Sequence, residues 1–283
     1  MQALPSDLAQ QVATALAEDI GPGDVTAELV PLTQHVTGKV ITREQAVLCG
    51  RPWVTETFRQ LDPTVRVTWH ASDGDRITAN QTLFEVSGLA RPVLTGERTA
   101  LNFLQLLSAT ATAARRYVDA IAGTGCAILD TRKTLPGLRT AQKYAVLQGG
   151  AQNHRMGLFD QVLIKENHIA AAGSLAAAIA AGRRAAGTRK VEVEVETLAE
   201  FEEALRSSPD IILLDEFSLA DMKTAVQMNR AAGKPVKLEA SGSVTLETVR
   251  SVAQTGVDYI SIGGITKHIQ AVDLSMRLEF AKP

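Results

Sequence analysis

The sequence has few cysteines, no long apolar run and no excess of charge of either sign. Its two cysteines, Cys49 and Cys126, form neither a CxxC motif nor another metal-binding spacing, so a reducing compartment is expected. No apolar stretch approaches the roughly 20 residues that span a bilayer. The first residues also lack the basic start and apolar core of a signal peptide. These absences predict a cytoplasmic protein with no membrane partner.

Charge and motif content remove several further classes. The chain carries 29 Lys and Arg against 31 Asp and Glu, a net charge of -2, which argues against a nucleic-acid partner. It contains no HExxH, no GxSxG nucleophile elbow, no Walker P-loop and no GxGxxG after a first strand. With 283 residues, it is long enough for one large domain or two ordinary ones.

The chain changes character near residue 105. The first part mixes helical and strand-like patterns and predicts a compact α+β domain over residues 1–105. Helices are expected from Ser6, as the cap, to Ile20 and from Pro52 to Leu61. Strands are expected over residues 37–42, 65–70 and 82–88.

From Cys126 onward, short apolar runs alternate with helical stretches, as in parallel βα units. Strands are predicted over residues 126–129, 161–164, 191–195, 210–214, 236–238 and 259–262, and helices over 140–149, 174–186, 198–207, 218–232 and 245–255. Nearly every strand is followed by charged residues or by Gly and Ser. In a barrel the carboxyl ends of all strands converge on one face. In an open doubly wound sheet, only the two or three strands at the switch point would carry such residues. The pattern favours an α/β barrel, closed or incomplete, of six or seven strands.

Residues 191–196 alternate valine with glutamate, which places three carboxylates on one face of a strand. Taken alone, the segment is typical of an exposed antiparallel strand. Among parallel units, however, the valines pack under helices and the carboxylates face the barrel interior, where unpaired charge is costly. They then require cations, a metal or a polyhydroxy ligand.

Cations follow the neighbouring strands. Each alone is typical of a solvated surface, but gathered at one barrel mouth they predict a pocket for a ligand with several negative charges. Arginine's planar fork suits carboxylate and phosphate oxygens. The residues are Arg132, Lys133, His154, Arg155 and Lys165.

Two glycine-containing turns follow the last two predicted strands, at Ser241-Gly242-Ser243 and Gly263-Gly264. Glycine lets backbone N–H groups approach an anion, and a helix expected near Thr245 would add its dipole. Plain βα turns would show the same glycines, but their place in the strand order favours a phosphate site.

Arg98 is a further candidate. Thr95 is expected to cap the following helix, which would put Arg98 in its first turn, where the helix dipole disfavours a cation. Either Arg98 is an ordinary surface residue or it serves an anion elsewhere.

Together these residues resemble one family, the quinolinate phosphoribosyltransferases, also called nicotinate-nucleotide pyrophosphorylases (carboxylating). The resemblance runs from one end of the chain to the other and is specific as a combination. The matching segments are Glu18–Thr26, Gly96–Phe103, Asp130–Leu138, Asn153–Leu158, Ile164–His168, Val191–Thr197, Leu213–Asp215, Glu239–Gly242 and Asp273–Met276.

The resemblance implies a type II phosphoribosyltransferase fold. An N-terminal open-faced α/β sandwich over residues 1–105, joined by the C-terminal segment 269–283, would precede an incomplete α/β barrel over 106–268. It also implies homodimers, possible units of a hexamer, in which Arg98 is donated to the partner's active site.

The resemblance also assigns roles to single residues. Arg132, Lys133, His154, Arg155 and Lys165, with Thr131, look like ligands of quinolinate and pyrophosphate. Glu194 and Asp215 look like the partners of the ribose hydroxyls and of Mg²⁺, and Lys133, Lys165, Glu194 and Asp215 like the catalytic set. Ser241, Gly242, Ser243, Gly263 and Gly264 look like the cradle of the 5′-phosphate.

The implied reaction joins quinolinate to phosphoribosyl pyrophosphate and releases nicotinate mononucleotide, pyrophosphate and carbon dioxide. Two alternatives stay open at this point: a molybdenum-transport accessory protein of the same fold, and a non-catalytic phosphosugar-binding barrel.

Overall fold

The computed structural model describes residues 3–233 and 236–281, which form two compact units. The first unit contains residues 3–115, 134–150 and 265–281, and the second contains the rest. The predicted boundary at residue 105 falls inside one uninterrupted helix, Ala90–Ala120. The chain also returns to the first unit over residues 134–150.

The helices and strands alternate along most of the chain. The helices are α1 (Leu8–Ile20), α2 (Arg51–Leu61), α3 (Ala90–Ala120), α4 (Arg139–Gln148), α5 (Glu166–Ala172), α6 (Leu175–Ala186), α7 (Leu198–Ser207), α8 (Leu219–Ala231), α9 (Val249–Ala253) and α10 (Gly264–Lys267), with a 3-10 turn at Ala27–Leu29. The strands are β1 (His35–Thr42), β2 (Ala46–Val47), β3 (Arg66–Trp69), β4 (Arg76–Ile77), β5 (Thr82–Leu89), β6 (Ala127–Leu129), β7 (Val162–Ile164), β8 (Val191–Val195), β9 (Ile211–Asp215), β10 (Lys237–Ser241), β11 (Tyr259–Ser261) and β12 (Leu274–Phe280). No helix of the described residues is both long and apolar enough to cross a membrane.

The first unit is built on an antiparallel sheet of order β12-β1-β5-β3. Alternate residues of β1 are buried, and Val36 and Val40 pack into a core with Phe84 and Val86 of β5. Because β12 pairs with β1, the C-terminal strand belongs to this sheet. Sheet and helices together confirm the predicted N-terminal α/β arrangement.

The start of α3 differs from the sequence prediction. The helix begins at Ala90, five residues before the expected cap, since Pro92 is tolerated in a first helical turn. Thr95 therefore does not cap it, and its hydroxyl donates to Asp24 Oδ2 at 2.7 Å. Arg98 lies in the third turn, so the predicted conflict with the helix dipole is wrong; its side chain is exposed. Ser6 does not cap α1 either, because that helix begins after Asp7.

The second unit is a parallel sheet of six strands in the order β6-β11-β10-β9-β8-β7. Strands β7 to β11 follow one another in chain order, and β6 closes on β11. Strands β6 and β7 lie at opposite edges of the sheet, although they are consecutive in the chain. This is the topology of an α/β barrel opened between its first two strands, which confirms the predicted fold class.

Strand β8 contains the alternating valines and glutamates of the sequence. Its three valines are buried, and Glu192 is buried as completely as they are. In the parallel pairings, Glu194 lies opposite Leu213 of β9, which in turn lies opposite Glu239 of β10. Paired residues share a face of the sheet, so the glutamates face the same side as Leu213.

Candidate active site

The carboxyl ends of the second unit's strands surround a cavity of about 340 Å³, here called the barrel cavity. Its lining mixes cations and carboxylates with a few apolar side chains. The lining residues are Thr131, Arg132, Lys133, His154, Arg155, Leu163, Lys165, Glu194, Leu213, Glu239, Ser241 and Ser261. Eight of the predicted site residues are therefore brought together: Thr131, Arg132, Lys133, His154, Arg155, Lys165, Glu194 and Ser241.

Three loops supply the cations of the barrel cavity: the loop after β6, the loop of residues 153–155 and the loop after β7. Arg132 and Lys133 lie beyond β6, and the Thr131 hydroxyl accepts the Lys133 N–H at 3.0 Å, which fixes this turn. Burial and the positive charge of Arg132 lower the pKa of Arg155. The two guanidiniums repel each other, and an anion bound between them would relieve that repulsion.

Lys165 and Glu194 form an ion pair at the ends of neighbouring strands β7 and β8. The Lys165 ammonium is about half-exposed, whereas Glu194 is largely buried. The half-exposed ammonium gives the largely buried carboxylate a counter-charge. Both partners remain within the barrel cavity and can turn to a ligand.

Asp130 ties the loop of residues 153–155 to the end of β6. It is fully buried, and its carboxylate accepts the His154 N–H at 2.9 Å and Asn153 Nδ2 at 2.6 Å. The same loop begins with a parallel bridge between Gln152 and Leu129 of β6. Asp130, which was not predicted as a site residue, thereby places His154 and Arg155 at the open edge of the barrel.

Two further buried glutamates were not predicted as site residues. Glu192 accepts Gln161 Nε2 at 2.6 Å and lies 3.0 Å from His154 Nε2. Glu239 lines the barrel cavity, and neither of its carboxylate oxygens has a partner in hydrogen-bond geometry among the described residues. Burial and the nearby charge of Glu192 raise the pKa of Glu239 well above its ordinary value.

A sequence signal for Glu192 existed. The alternation that turns Glu194 inward turns Glu192 to the same face, because the two are separated by one residue. Glu239 was expected to follow a strand ending at residue 238, whereas β10 runs over Lys237–Ser241 and includes it; glutamates are mostly exposed, so its burial was not expected.

The remaining predicted residues do not line the barrel cavity. Asp215 ends β9 and is paired in register with Ser241, so it lies on the same face at the same level. A Cβ at Gly263 would lie 2.8 Å from Lys133 Cδ, so glycine there makes room for the lysine side chain. Gly264 begins the short helix α10. Arg98 belongs to the first unit.

The predicted phosphate loop at Gly242 is occupied by a carboxylate. Gly242 has φ +131°, and a Cβ there would lie 2.7 Å from the Glu216 carboxylate. Ser243 Oγ donates to Glu216 Oε1 at 3.0 Å. Helix α9 begins at Val249, four residues later than expected, because residues 245–248 form turns around the Thr245 carbonyl. A phosphate at this loop would have to displace Glu216 and would gain little from so short a helix.

Comparison with family models gives a direct match over almost the whole chain. The model "Quinolinate phosphoribosyl transferase, N-terminal domain" matches residues 24–108, and the model "Quinolinate phosphoribosyl transferase, C-terminal domain" matches residues 110–277. The chain belongs to the quinolinate phosphoribosyl transferase family. The resemblance inferred from the sequence motifs is confirmed.

Individual members of the quinolinate phosphoribosyl transferase family agree with this placement. A nicotinate-nucleotide pyrophosphorylase [carboxylating] of Mycobacterium leprae is 42% identical over 271 residues, which are 93% of this chain and 94% of that protein. A probable nicotinate-nucleotide pyrophosphorylase [carboxylating] of Synechocystis is 40% identical over 264 residues, 93% of this chain and 90% of that protein. The structure of the nicotinate-nucleotide pyrophosphorylase from Francisella tularensis superimposes with a TM-score of 0.94 at 46% identity, covering 98% of each chain.

The donor chemistry of this family member suits the Mg²⁺ ion that the resemblance implies. Glu194 and Asp215 supply two carboxylates from the same face of neighbouring strands β8 and β9. Proteins usually bind Mg²⁺ through one or two carboxylates together with substrate phosphate oxygens. Lys165 already engages one Glu194 oxygen, which leaves the other oxygen and Asp215 for a cation.

Proposed function

We propose that this chain transfers a phosphoribosyl group to quinolinate, releasing nicotinate mononucleotide, pyrophosphate and carbon dioxide. One observation carries the proposal: four permanent cations and the Glu194 carboxylate line one cavity at the carboxyl ends of the barrel strands. Family membership supports it, because relatives at about 40% identity are named as carboxylating nicotinate-nucleotide pyrophosphorylases.

Binding is the first task of these residues. Quinolinate carries two carboxylates and phosphoribosyl pyrophosphate carries several phosphate charges. The forks of Arg132 and Arg155 match such oxygens in two-point contacts, and Lys133 and Lys165 add point charges. Hydrogen-bond donors of the protein thereby take the place of the water that hydrates both substrates in solution.

Bond exchange at the ribose is the second task. The ring nitrogen of quinolinate attacks C1 with its lone pair as the C1–O bond to pyrophosphate breaks and its electrons leave with the pyrophosphate. Positive charge develops on the sugar, and the Glu194 and Asp215 carboxylates stabilise it, while lysine and arginine stabilise the leaving group. When the adjacent carboxylate leaves as carbon dioxide, the electron pair of the broken C–C bond stays on the ring carbon, where the neighbouring pyridinium charge stabilises it, and that pair then takes a proton from solvent.

Mg²⁺ and a second subunit complete the proposal. Glu194 and Asp215 would hold Mg²⁺, which supplies neutralisation of phosphate charge when bound. The protein would work as a homodimer, alone or within a hexamer, with Arg98 entering the partner's site. The cytoplasmic location remains a prediction from the sequence.

The decisive assay combines purified protein, quinolinate, phosphoribosyl pyrophosphate and Mg²⁺ and follows carbon dioxide and nicotinate mononucleotide. The proposal expects both products in equal amounts, together with pyrophosphate. Binding of the phosphosugar without pyrophosphate release would instead support the non-catalytic barrel. A reaction without either substrate supplies the background.

A further inference from the structure

Three residues form a continuous contact behind the barrel cavity: Glu192, His154 and Arg155. Glu192 is fully buried on β8, and the His154 side chain is only 8% exposed. The Arg155 side chain lines the cavity itself. The contact therefore links a buried carboxylate to a cation that faces the proposed substrate.

The hydrogen bonds of His154 determine which ring nitrogen carries a proton. Its Nδ1 accepts the backbone N–H of Arg155 at 2.6 Å, so Nδ1 is unprotonated. The neutral ring must then carry its hydrogen on Nε2, which lies 3.0 Å from Glu192 Oε2 and farther, 3.6 Å, from Glu239 Oε2, so Glu192 is the nearer acceptor. Both ring nitrogens therefore contact protein groups. The Glu192 contact favours the tautomer with its proton on Nε2, in which the Nδ1 lone pair accepts the Arg155 N–H.

The two ends of this contact are anchored independently. Gln161 Nε2 donates to the same Glu192 oxygen at 2.6 Å, and β8 pairs on both sides, with β7 and β9. At the other end, Asp130 holds the His154 backbone N–H at 2.9 Å. The imidazole is thus held between a rigid carboxylate and a rigid loop.

We propose that Glu192 is a positioning residue for the phosphoribosyl transfer: it fixes the His154 ring, whose Nδ1 holds the Arg155 backbone so that the guanidinium meets the substrate anion. This role rests on the proposed function. It assigns His154 a positioning role in addition to its place in the cavity lining. If the Arg155 guanidinium is displaced, the free energy of the bound substrate rises although no charge is removed from the cavity.

A metal ion is the competing use of the same residues. Ligand atoms of His154, Glu192 and Glu239 lie within 4.8 Å of one another. A metal on His154 Nε2 requires the lone pair there and the proton on Nδ1, which is incompatible with Nδ1 accepting the Arg155 N–H. The observed hydrogen bond therefore favours the positioning role.

The test uses ¹⁵N-histidine and ¹⁵N-amide NMR of the full chain, with His154→Asn to assign the ring signals. Wild type should show His154 protonated on Nε2 only and an Arg155 amide protected from exchange. Glu192→Leu should lose both features, while Glu192→Gln, which keeps an acceptor, should restore them. Glu202→Ala removes an exposed glutamate of α7 and is the matched control.

Kinetics separate positioning from general damage. In Glu192→Leu the KM for the substrate that Arg155 contacts, quinolinate or phosphoribosyl pyrophosphate, should rise about 10- to 100-fold, with a smaller change for the other substrate. Glu192→Gln should recover most of the loss. If the leucine variant does not fold, Glu192→Asp tests the same contact, because it withdraws the carboxylate by one methylene and keeps the charge.

Three results would overturn the inference: a wild-type His154 protonated on Nδ1, a His154 Nε2 that shows one-bond coupling to one equivalent of ¹¹³Cd²⁺, or an Arg155 amide unaffected by Glu192→Leu and Glu192→Asp. None of these readouts involves a substrate. A wild-type protein inactive on quinolinate would refute the proposed function, and the NMR result would still decide whether Glu192 holds Arg155 in place.

Discussion

Lys165 and Glu194 pair directly across neighbouring strands of the barrel, the ammonium donating to the carboxylate at the edge of the barrel cavity. Lys165 makes the burial of Glu194 tolerable, and each residue carries the charge that one half of the proposed substrate pair needs. In the proposed reaction, Lys165 would face anionic oxygens and Glu194 the cationic sugar of the transition state. The pair is thus neutral before substrates arrive and divides its two charges between them.

Replacing either member of this pair should abolish most turnover and leave the fold intact. Lys165→Ala and Glu194→Ala should each lower kcat/KM by about 100-fold or more, because transition-state charge loses its fixed counter-charge. Circular dichroism and urea midpoints check the fold, and product formation checks the rate. Lys223→Ala, an exposed lysine of α8, is the control for loss of one positive charge. Near-normal kinetics in either variant would show that its assigned role is wrong.

Quinolinate should be used in preference to nicotinate and nicotinamide. The barrel cavity brings together four permanent cations, and a ligand with two carboxylates leaves fewer of them unpaired than a ligand with one or none. We expect kcat/KM for nicotinate at least about 100-fold lower, because a cation of the cavity would then lack its counter-charge. Competition assays with equal concentrations measure the ratio; comparable turnover of nicotinate would defeat this reading of the cavity.

Arg98 should act on the partner subunit's active site. It is an exposed cation of the first unit. The family resemblance implies that this arginine enters the active site of the other subunit in a dimer. Arg98→Ala and Lys165→Ala should each be nearly inactive alone and recover activity after subunit exchange, because a mixed dimer has one complete site. At random exchange about half of the dimers are mixed, so recovery should reach at most about a quarter of the wild-type rate.

Two controls decide the subunit-exchange experiment. Native mass spectrometry of differently tagged chains shows whether mixed dimers form, and a mixture of Lys165→Ala with Glu194→Ala should not recover, since both residues belong to the same unit. Exchange without recovery in the Arg98 mixture would place Arg98 in its own subunit's site or outside any site.

Glu239 should make the protein less stable as pH rises. Burial, followed by the charge of Glu192, raises its pKa in the folded protein above the ordinary 4.5. Above that value the unfolded chain has lost the proton while the folded chain still holds it, so the free energy of unfolding falls by up to ~1.4 kcal/mol per pH unit until the folded pKa is reached.

Glu239→Gln is the matched variant for this effect, because its amide resembles the protonated acid in size and never ionises. Urea unfolding of both proteins between pH 4.5 and 8 gives the difference in stability. That difference should shift in favour of the variant as pH rises. A pH-independent difference would mean that Glu239 is ionised in the folded protein.

Much of this fold is predictable from local sequence. The alternation of valine and glutamate predicts a strand over 191–195 with buried valines, and β8 has those bounds. Helix α7 likewise runs over the predicted residues 198–207. Both segments combine a clear period with a cap or turn, so local propensity and tertiary packing agree. The predicted start of α3 was wrong, because the helix begins at Ala90 and Thr95, the expected cap, lies inside it.

The sequence by itself determined the parallel βα rhythm, the cations and carboxylates at the strand ends, and the family, because each depends on residue types at short range or in fixed order. Tertiary structure alone decided which of them meet. It opened the barrel between β6 and β7, set Glu216 against the Gly242 loop, and buried Glu239 beside Glu192. These outcomes depend on strand register and on side chains distant in sequence, and a period read along one strand contains no information about the strand beside it.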